Sequence, residues 1–473
     1  MAAAGRILLF VIVLHLSTAQ AASSKVPFHG LGVNYGQLGD NLPSPEVSVS
    51  LLRSIGAAAV KIYDANPAIL RALCGSGVVV SVMVPNELLP SIGTNQSAAD
   101  DWVATNIVPF YGSIRLRFLL VGNEILSDFA SNSSFSPYLV PSMIRLNRSL
   151  RLFSLRGIKI STTHAMDVLQ TSFPPSSGRF RSDIAASIIR PMLDFLRRTS
   201  SYFFVDAYPY FFWSQNHTSI SIDYALFQGT SNSYYRDPAS GLTYTNLLDQ
   251  MLDAVAAAIA AEGFREVRIG LSETGWPNAG DLDEFGANVH NAAIYNRNLA
   301  RRVAEKSGLR TPGMPEAVIP VFVFALYNEN LKSGRGTERH WGLLYPNGTA
   351  VYEVDLKGRR PASSYPPLPP ATNNEPFKGK LWCVLDTSGA VNVTAVAAAL
   401  SYACGQGNGT CAEIQPGGKC YQPNTVTAHA SYALNSYWQQ FRSIAGPCYF
   451  NGLAVQSTVD PSYGSCIFPS KEN

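Results

Sequence analysis

Phe118-Leu-Leu-Val-Gly-Asn-Glu124 is the stretch on which the fold turns: an apolar run that stops abruptly at an amide and a carboxylate. A strand with no polar alternation must be covered on both faces, and parallel strands sheathed by helices meet that demand. Working outward, similar runs occur at Leu31–Tyr35, Ala58–Tyr63, Val78–Val84, Ile158–Thr162, Phe203–Ala207, Val267–Ser272 and Val318–Leu326. Between them, periodicity predicts helices over Pro45–Ser54, Ala98–Phe110, Tyr138–Arg156, Leu247–Glu262 and Val289–Glu305. Eight strand–helix repeats between residues 28 and 356 match an α/β fold of the (β/α)8 barrel type. A doubly wound open sheet is the alternative. It would normally carry a Gly-rich phosphate loop after the first strand, and Gly32-Val-Asn-Tyr-Gly-Gln lacks the spacing.

A barrel collects its chemistry where strands end, at the C-terminal mouth. The unusual residues fall there: Asn34-Tyr35, Tyr63-Asp64, Pro85-Asn86-Glu87, Asn123-Glu124, Tyr208-Pro-Tyr-Phe-Phe-Trp213, Glu273-Thr-Gly-Trp-Pro277 and Tyr327-Asn-Glu-Asn330. The fourth and the seventh of these strand ends put a glutamate directly after a buried run. Glycoside hydrolysis needs one carboxyl group to protonate the departing oxygen and another to attack or stabilise the anomeric carbon. Glu124 and Glu273 can reach one bond from opposite sides of the mouth. In a retaining enzyme the two carboxyl groups lie about 5–5.5 Å apart. Glu124 is expected to be the acid/base, its pKa raised by a neighbouring carboxylate and partial burial. Glu273 is then the nucleophile, Asn123 holds a sugar hydroxyl beside the reacting centre, and Trp276 offers a wall or stacking surface. Spacing alone leaves open that both glutamates only cap strands in salt bridges.

The 473-residue chain is 46% hydrophobic and 15% charged with a net charge of +3, so it can bury a large core but offers no basic tract for nucleic acid. A neutral polymer suits it better. Arg6 followed by the apolar run Ile7–Leu16 and Ala19-Gln20-Ala21 reads as a secretory leader over residues 1–21, too short to span a bilayer. The mature chain is therefore expected to be secreted, without a membrane span, and monomeric. Sequons at Asn95, Asn132, Asn147, Asn216, Asn347, Asn392 and Asn408 agree with export. Cys74 stands alone and is expected to be a buried thiol, whereas six cysteines crowd the segment from Cys383 onward, the mark of a disulfide-bonded module. Residues 357–380, with six prolines, read as a short semi-extended linker between a barrel at 28–356 and a module at 381–469. In that module helices are predicted over Val393–Cys404 and Thr427–Phe441. No histidine pair has zinc spacing and no Gly-x-Ser-x-Gly elbow occurs, so no metal or serine nucleophile is expected.

Gly32-Val-Asn-Tyr-Gly36, Lys61-Ile-Tyr-Asp-Ala-Asn66, Val121-Gly-Asn-Glu124, Ala207-Tyr-Pro-Tyr-Phe211, Ser272-Glu-Thr-Gly-Trp-Pro277, Ala325-Leu-Tyr-Asn-Glu-Asn-Leu-Lys332 and Glu338-Arg-His-Trp-Gly-Leu343 occur in order. Together they resemble the plant glycoside hydrolase family 17 β-1,3-glucanases across residues 29–355. The resemblance implies a TIM barrel, retention of configuration and no cofactor. It also implies Glu124 as proton donor, Glu273 as nucleophile, and Glu329, Lys332 and Glu338 as a polar network beside them. Tyr35, Tyr63, Asn86 and Tyr208 match cleft positions that meet substrate. Tyr327, His340 and Asp206 depart from the family's frequent Phe, Asn and Asn, which touches subsite detail only. Mixed 1,3-1,4-glucan is an alternative substrate on this scaffold. A catalytically silent glucan-binding wall protein and a transglycosylase are the alternative functions.

Trp382-Cys-Val384, Cys420-Tyr-Gln-Pro-Asn-Thr425, Ser431-Tyr-Ala-Leu-Asn-Ser-Tyr437 and Asp460-Pro-Ser-Tyr-Gly-Ser-Cys466 are similar to the X8 module, carbohydrate-binding family 43, with Leu434 in place of a common Phe. That similarity implies binding of β-1,3-glucan; a passive spacer is the alternative. Of fifteen possible pairings, Cys383–Cys448, Cys404–Cys411 and Cys420–Cys466 is the expected set, each bridge contributing about 2–4 kcal/mol. The target implied is callose or fungal wall glucan, in the cell wall, with plasmodesmal placement open.

Overall fold

Apolar runs that are buried on both faces can satisfy their backbone only by pairing with one another, and here they close into a ring. The computed structural model describes residues 28–127, 133–229, 233–444 and 446–472; the leader expected at 1–21 and the sequon at Asn132 lie outside these. Strands β1 (Leu31–Tyr35), β2 (Ala59–Ile62), β3 (Val79–Val84), β4 (Arg115–Asn123), β5 (Lys159–Ala165), β6 (Tyr202–Asp206), β7 (Arg268–Thr274) and β8 (Val321–Val323) form a closed barrel in sequence order, every pairing parallel. Helices α1 (Pro45–Ser54), α2 (Leu139–Leu152), α3 (Arg190–Thr199), α4 (Leu247–Ala261) and α5 (Val289–Glu305) belong to the outer layer. Their starts are written locally: Ser44, Asn246 and Asn288 each accept a bond from the first turn of α1, α4 and α5.

Strand parity sorts the core into two shells. Leu31, Val33, Val60, Ile62, Leu119 and Val121 face the helices, while Ala59, Val79, Phe118, Leu120, Tyr202, Phe204 and Phe322 fill the barrel. Phe118 meets Tyr202 and Phe204 edge-on at 5.6 and 4.9 Å between ring centres. Large rings need small neighbours: a Cβ on Gly270 would sit 2.2 Å from the Phe204 ring, and one on Gly32 would sit 2.5 Å from Phe322. The barrel is thus a packed floor beneath the mouth.

The eighth strand is shorter than its sequence run. Pro320 has no N–H to donate, so the run divides there: Met314–Ile319 pairs outside the barrel with Leu309–Thr311, and only Val321–Val323 joins the ring. Cys74 also departs from expectation. It caps the short helix Pro67–Leu73 with extended backbone, which turns it to the surface, and the thiol is exposed.

The segment 357–380 lies against the barrel. Asn373 accepts from Gly286 N at 2.6 Å through its carbonyl and from Asn288 Nδ2 at 2.7 Å through its side chain, and Asn374 Oδ1 accepts from Asn291 at 2.7 Å. Beyond it, β9 (Trp382–Leu385) pairs antiparallel with β10 (Ala454–Ser457) beside helices α6 (Val393–Gln406) and α7 (Val426–Phe441). Leu381, Trp382, Val396, Leu434 and Trp438 are its buried centre. The bridges are Cys383–Cys448, Cys404–Cys411 and Cys420–Cys466, the expected set.

Candidate active site

Regular alternation would turn Glu273 away from the lumen, because Gly270 and Ser272 are the inward positions of β7. A register shift between Leu271 and Glu273 against β6, matched by one between Leu271 and Thr274 against β8, breaks the alternation. Such a bulge re-aims a side chain, and Glu273 enters the mouth. Its Oε1 accepts from Lys61 Nζ at 2.7 Å and Tyr63 Oη at 2.5 Å, and its Oε2 accepts from Tyr208 Oη at 2.6 Å. Burial pushes the Glu273 carboxyl up, but Lys61 and the two phenols outweigh it and hold the pKa below the ordinary 4.5. Lys61 itself is fully buried, as is possible for an ammonium only with such a partner.

Glu124 sits at the end of β4 in the left-handed region, φ +50°, just after Gly122 at φ +72°. A non-glycine residue held there is strained, and the surroundings hold it. Glu124 N donates to Thr163 O at 3.1 Å. Asn86 bonds the Asn123 backbone twice, accepting from N at 2.7 Å and donating to O at 3.1 Å, and Thr163 Oγ1 donates to Asn123 Oδ1 at 2.8 Å. Burial first, then the negative charge of Glu273, raise the Glu124 pKa to about 8. At neutral pH the mouth therefore presents one carboxyl that holds its proton and one that does not. That is the distribution a general acid and a nucleophile require.

Around the pair, Glu329 accepts from Leu38 N at 2.8 Å, Lys332 Nζ lies 3.4 Å from Glu338 Oε2, and Lys332 stands 4.3 Å over the Phe324 ring. Burial raises the pKa of Glu329 against the pull of Lys332. Tyr208 stacks obliquely on Trp341 at 4.8 Å, with the partly exposed Phe211 at 5.7 Å from the same indole.

Two residues expected in the cleft are elsewhere. Tyr35 shares the parity of Leu31 and Val33, so it faces α1, where its hydroxyl donates to Ser48 Oγ at 3.0 Å. Trp276 is fully buried among Tyr210, Trp213 and Tyr295, with Nε1 donating to Gly286 O at 2.8 Å, and has no face for a sugar. Asn86 braces the strand that carries Glu124, as described. Lys61 opens the Lys61–Asn66 motif, and its inward parity with Ala59 is the signal in the sequence that singles it out. Asp206 stands where the family frequently has Asn. It is buried, accepts from Ser272 Oγ, and is pushed well above the usual carboxylate range by burial and by Glu273.

The Glycosyl hydrolases family 17 profile matches residues 31–356, and that of the X8 domain matches residues 381–455. The chain is 50% identical over 440 residues to the probable glucan endo-1,3-beta-glucosidase A6 of Arabidopsis thaliana, a match covering 93% of this chain and 91% of the relative. A glucan endo-1,3-beta-D-glucosidase of Olea europaea is 37% identical, with 98% of each chain covered. Among solved structures, a β-1,3-glucanase and allergen of Cryptomeria japonica pollen superposes with a TM-score of 0.65 at 39% identity, covering 69% of this chain and 99% of its own. With its barrel matched from end to end and a relative half identical along nearly its whole length, the chain belongs to glycosyl hydrolase family 17.

Proposed function

We propose that the chain cleaves internal β-1,3-glucosidic bonds of β-1,3-glucan with retention of configuration, Glu124 serving as acid/base and Glu273 as nucleophile. In the first step the Glu124 carboxyl gives its proton to the glycosidic oxygen as the C1–O bond breaks. The Glu273 carboxylate bonds to C1, forming a glycosyl ester. In the second, Glu124, now a carboxylate, takes a proton from water as the water oxygen bonds to C1 and the ester bond breaks, restoring both groups. The observation that carries this reading is the unlike setting of the two glutamates: Lys61, Tyr63 and Tyr208 all donate to Glu273 and hold its pKa low, while burial and Glu273 raise Glu124 to about 8. Tyr63 and Tyr208 orient the nucleophile; Asn123 meets the hydroxyl beside the reacting carbon; Glu329, Lys332 and Glu338 set the charge around them. The relatives' names, all glucan endo-1,3-β-glucosidases, support the linkage.

The X8 module is read as a second glucan-binding unit. Among the described residues no helix is long and apolar enough to cross a membrane. The setting proposed is extracellular, in a cell wall, for a monomer. Asn95, Asn216, Asn347, Asn392 and Asn408 are exposed and open to glycan attachment, whereas Asn147 is half-buried within α2. On laminarin, wild type is expected to release oligosaccharides of intermediate length and Glu273→Ala to lose at least about 10⁴-fold in kcat. A folded Glu273→Ala with near-normal rate would overturn the assignment. Products longer than the starting oligosaccharide would redirect it to glucosyl transfer.

A further inference from the structure

The C-terminal module meets the barrel at the rim that carries the site. Tyr449 donates its hydroxyl to Asn330 O at 2.9 Å, and the Arg339 guanidinium lies 3.6 Å from the centre of the same ring. Arg339 donates in turn to the carbonyls of Lys332 at 3.1 Å and Gly334 at 3.2 Å. One aromatic side chain of the module therefore grips loop 330–339 at its start and, through Arg339, along its length. Asn330, Leu331 and Ser333 are exposed, so the first part of the loop has little core of its own, whereas Gly336 and Thr337 are buried and bond Asp281 and Glu284 of the barrel. A second contact supports the first: Gln456 donates to Asp283 Oδ1 at 2.9 Å, and Asp283 also pairs with Arg335 of the loop at 2.6 Å.

We propose that Tyr449 is a positioning residue through which the docked module holds Lys332 and Glu338 in the active site, so that the module braces the catalytic rim as well as binding glucan. The idea rests on Glu124 being the acid. Glu273, Lys61, Asp167, Asp206 and, more weakly than the first three, Glu338 act on Glu124, and Glu338 is the one among them on the gripped loop. Its negative charge helps keep Glu124 protonated. A loosened loop withdraws that charge, so the Glu124 pKa falls and the acid form is lost at lower pH.

The test uses the full chain and a soluble β-1,3-linked oligosaccharide. Tyr449→Ala is expected to lower kcat/KM about tenfold, from one hydrogen bond and one cation–π contact, and to move the alkaline limb of the profile to lower pH. Tyr449→Phe, which keeps the ring for Arg339, is expected to fall between it and wild type. In a Glu273→Ala background, binding to insoluble glucan is expected to be unchanged. An unmoved alkaline limb in Tyr449→Ala, whatever the rate, overturns the proposal. The underlying reading fails separately: Glu124→Gln with wild-type rate and limb would remove the acid assignment, and an unchanged Tyr449→Ala rate would then dispose of the brace as well.

Discussion

At the scale of single residues, the proposed mechanism works by holding apart the proton affinities of two like groups. Glu273 must be ionised and Glu124 protonated, so kcat/KM is expected to be bell-shaped. Its acid limb lies below 4.5, where Glu273 gains a proton, and its alkaline limb lies near 8, where Glu124 loses one. Lys61 is the cation that keeps the first limb low. In Lys61→Met the buried carboxylate loses that partner, its pKa rises, and the acid limb is expected to climb toward neutral pH. The rate at pH 6 should fall by about tenfold or more. A profile that keeps its acid limb would show that the two phenols suffice. Asp206 is a different case. Burial and Glu273 push its carboxyl well above the usual carboxylate range, which favours the neutral form. Asp206→Asn is therefore expected to retain kcat within about threefold, and a loss comparable to that of Lys61→Met would mean that Asp206 carries charge in the working enzyme.

At the scale of elements, what was legible followed from periodicity. Runs such as Phe118–Gly122 are apolar on both faces, so the barrel, its strand order and the convergence of strand ends could be read from the chain. Tyr35 and Trp276 went astray because a residue type says nothing about which face it presents. The parity of Leu31, Val33 and Tyr35 held that information, and so did the shared parity of Ala59 and Lys61. The β7 bulge could not be read at all, since it exists only as a mismatch of register with both neighbouring strands. The division at Pro320 was visible in principle, because a residue without an N–H interrupts a ladder. The same close fit makes one element-level forecast. A Cβ on Gly36, just past β1, would stand 2.3 Å from both carboxylate oxygens of Glu329. Gly36→Ala must displace that carboxylate from Leu38 N, and kcat is expected to drop about tenfold, with roughly 1–2 kcal/mol lost in thermal or denaturant unfolding. Unaltered kinetics would show that Glu329 is dispensable.

At the scale of the whole molecule, the barrel supplies the chemistry, and three disulfides let a small module stand beside it. Cys383–Cys448 ties β9 to the chain after α7, closing a separation of 65 residues; replacing both cysteines with serine is expected to cost the module about 2–5 kcal/mol. Its unfolding transition should fall well ahead of the barrel's in calorimetry, and a single unchanged transition would contradict this. The central claim is that Glu273 becomes covalently bonded to sugar while Glu124 manages the proton. Incubation with an activated 2-deoxy-2-fluoro laminaribioside, followed by proteolysis and mass spectrometry, tests it most directly. A fluoroglycosyl adduct on Glu273 is the expected result. An adduct on another carboxylate, or turnover that releases the inverted anomer with no adduct, would contradict it.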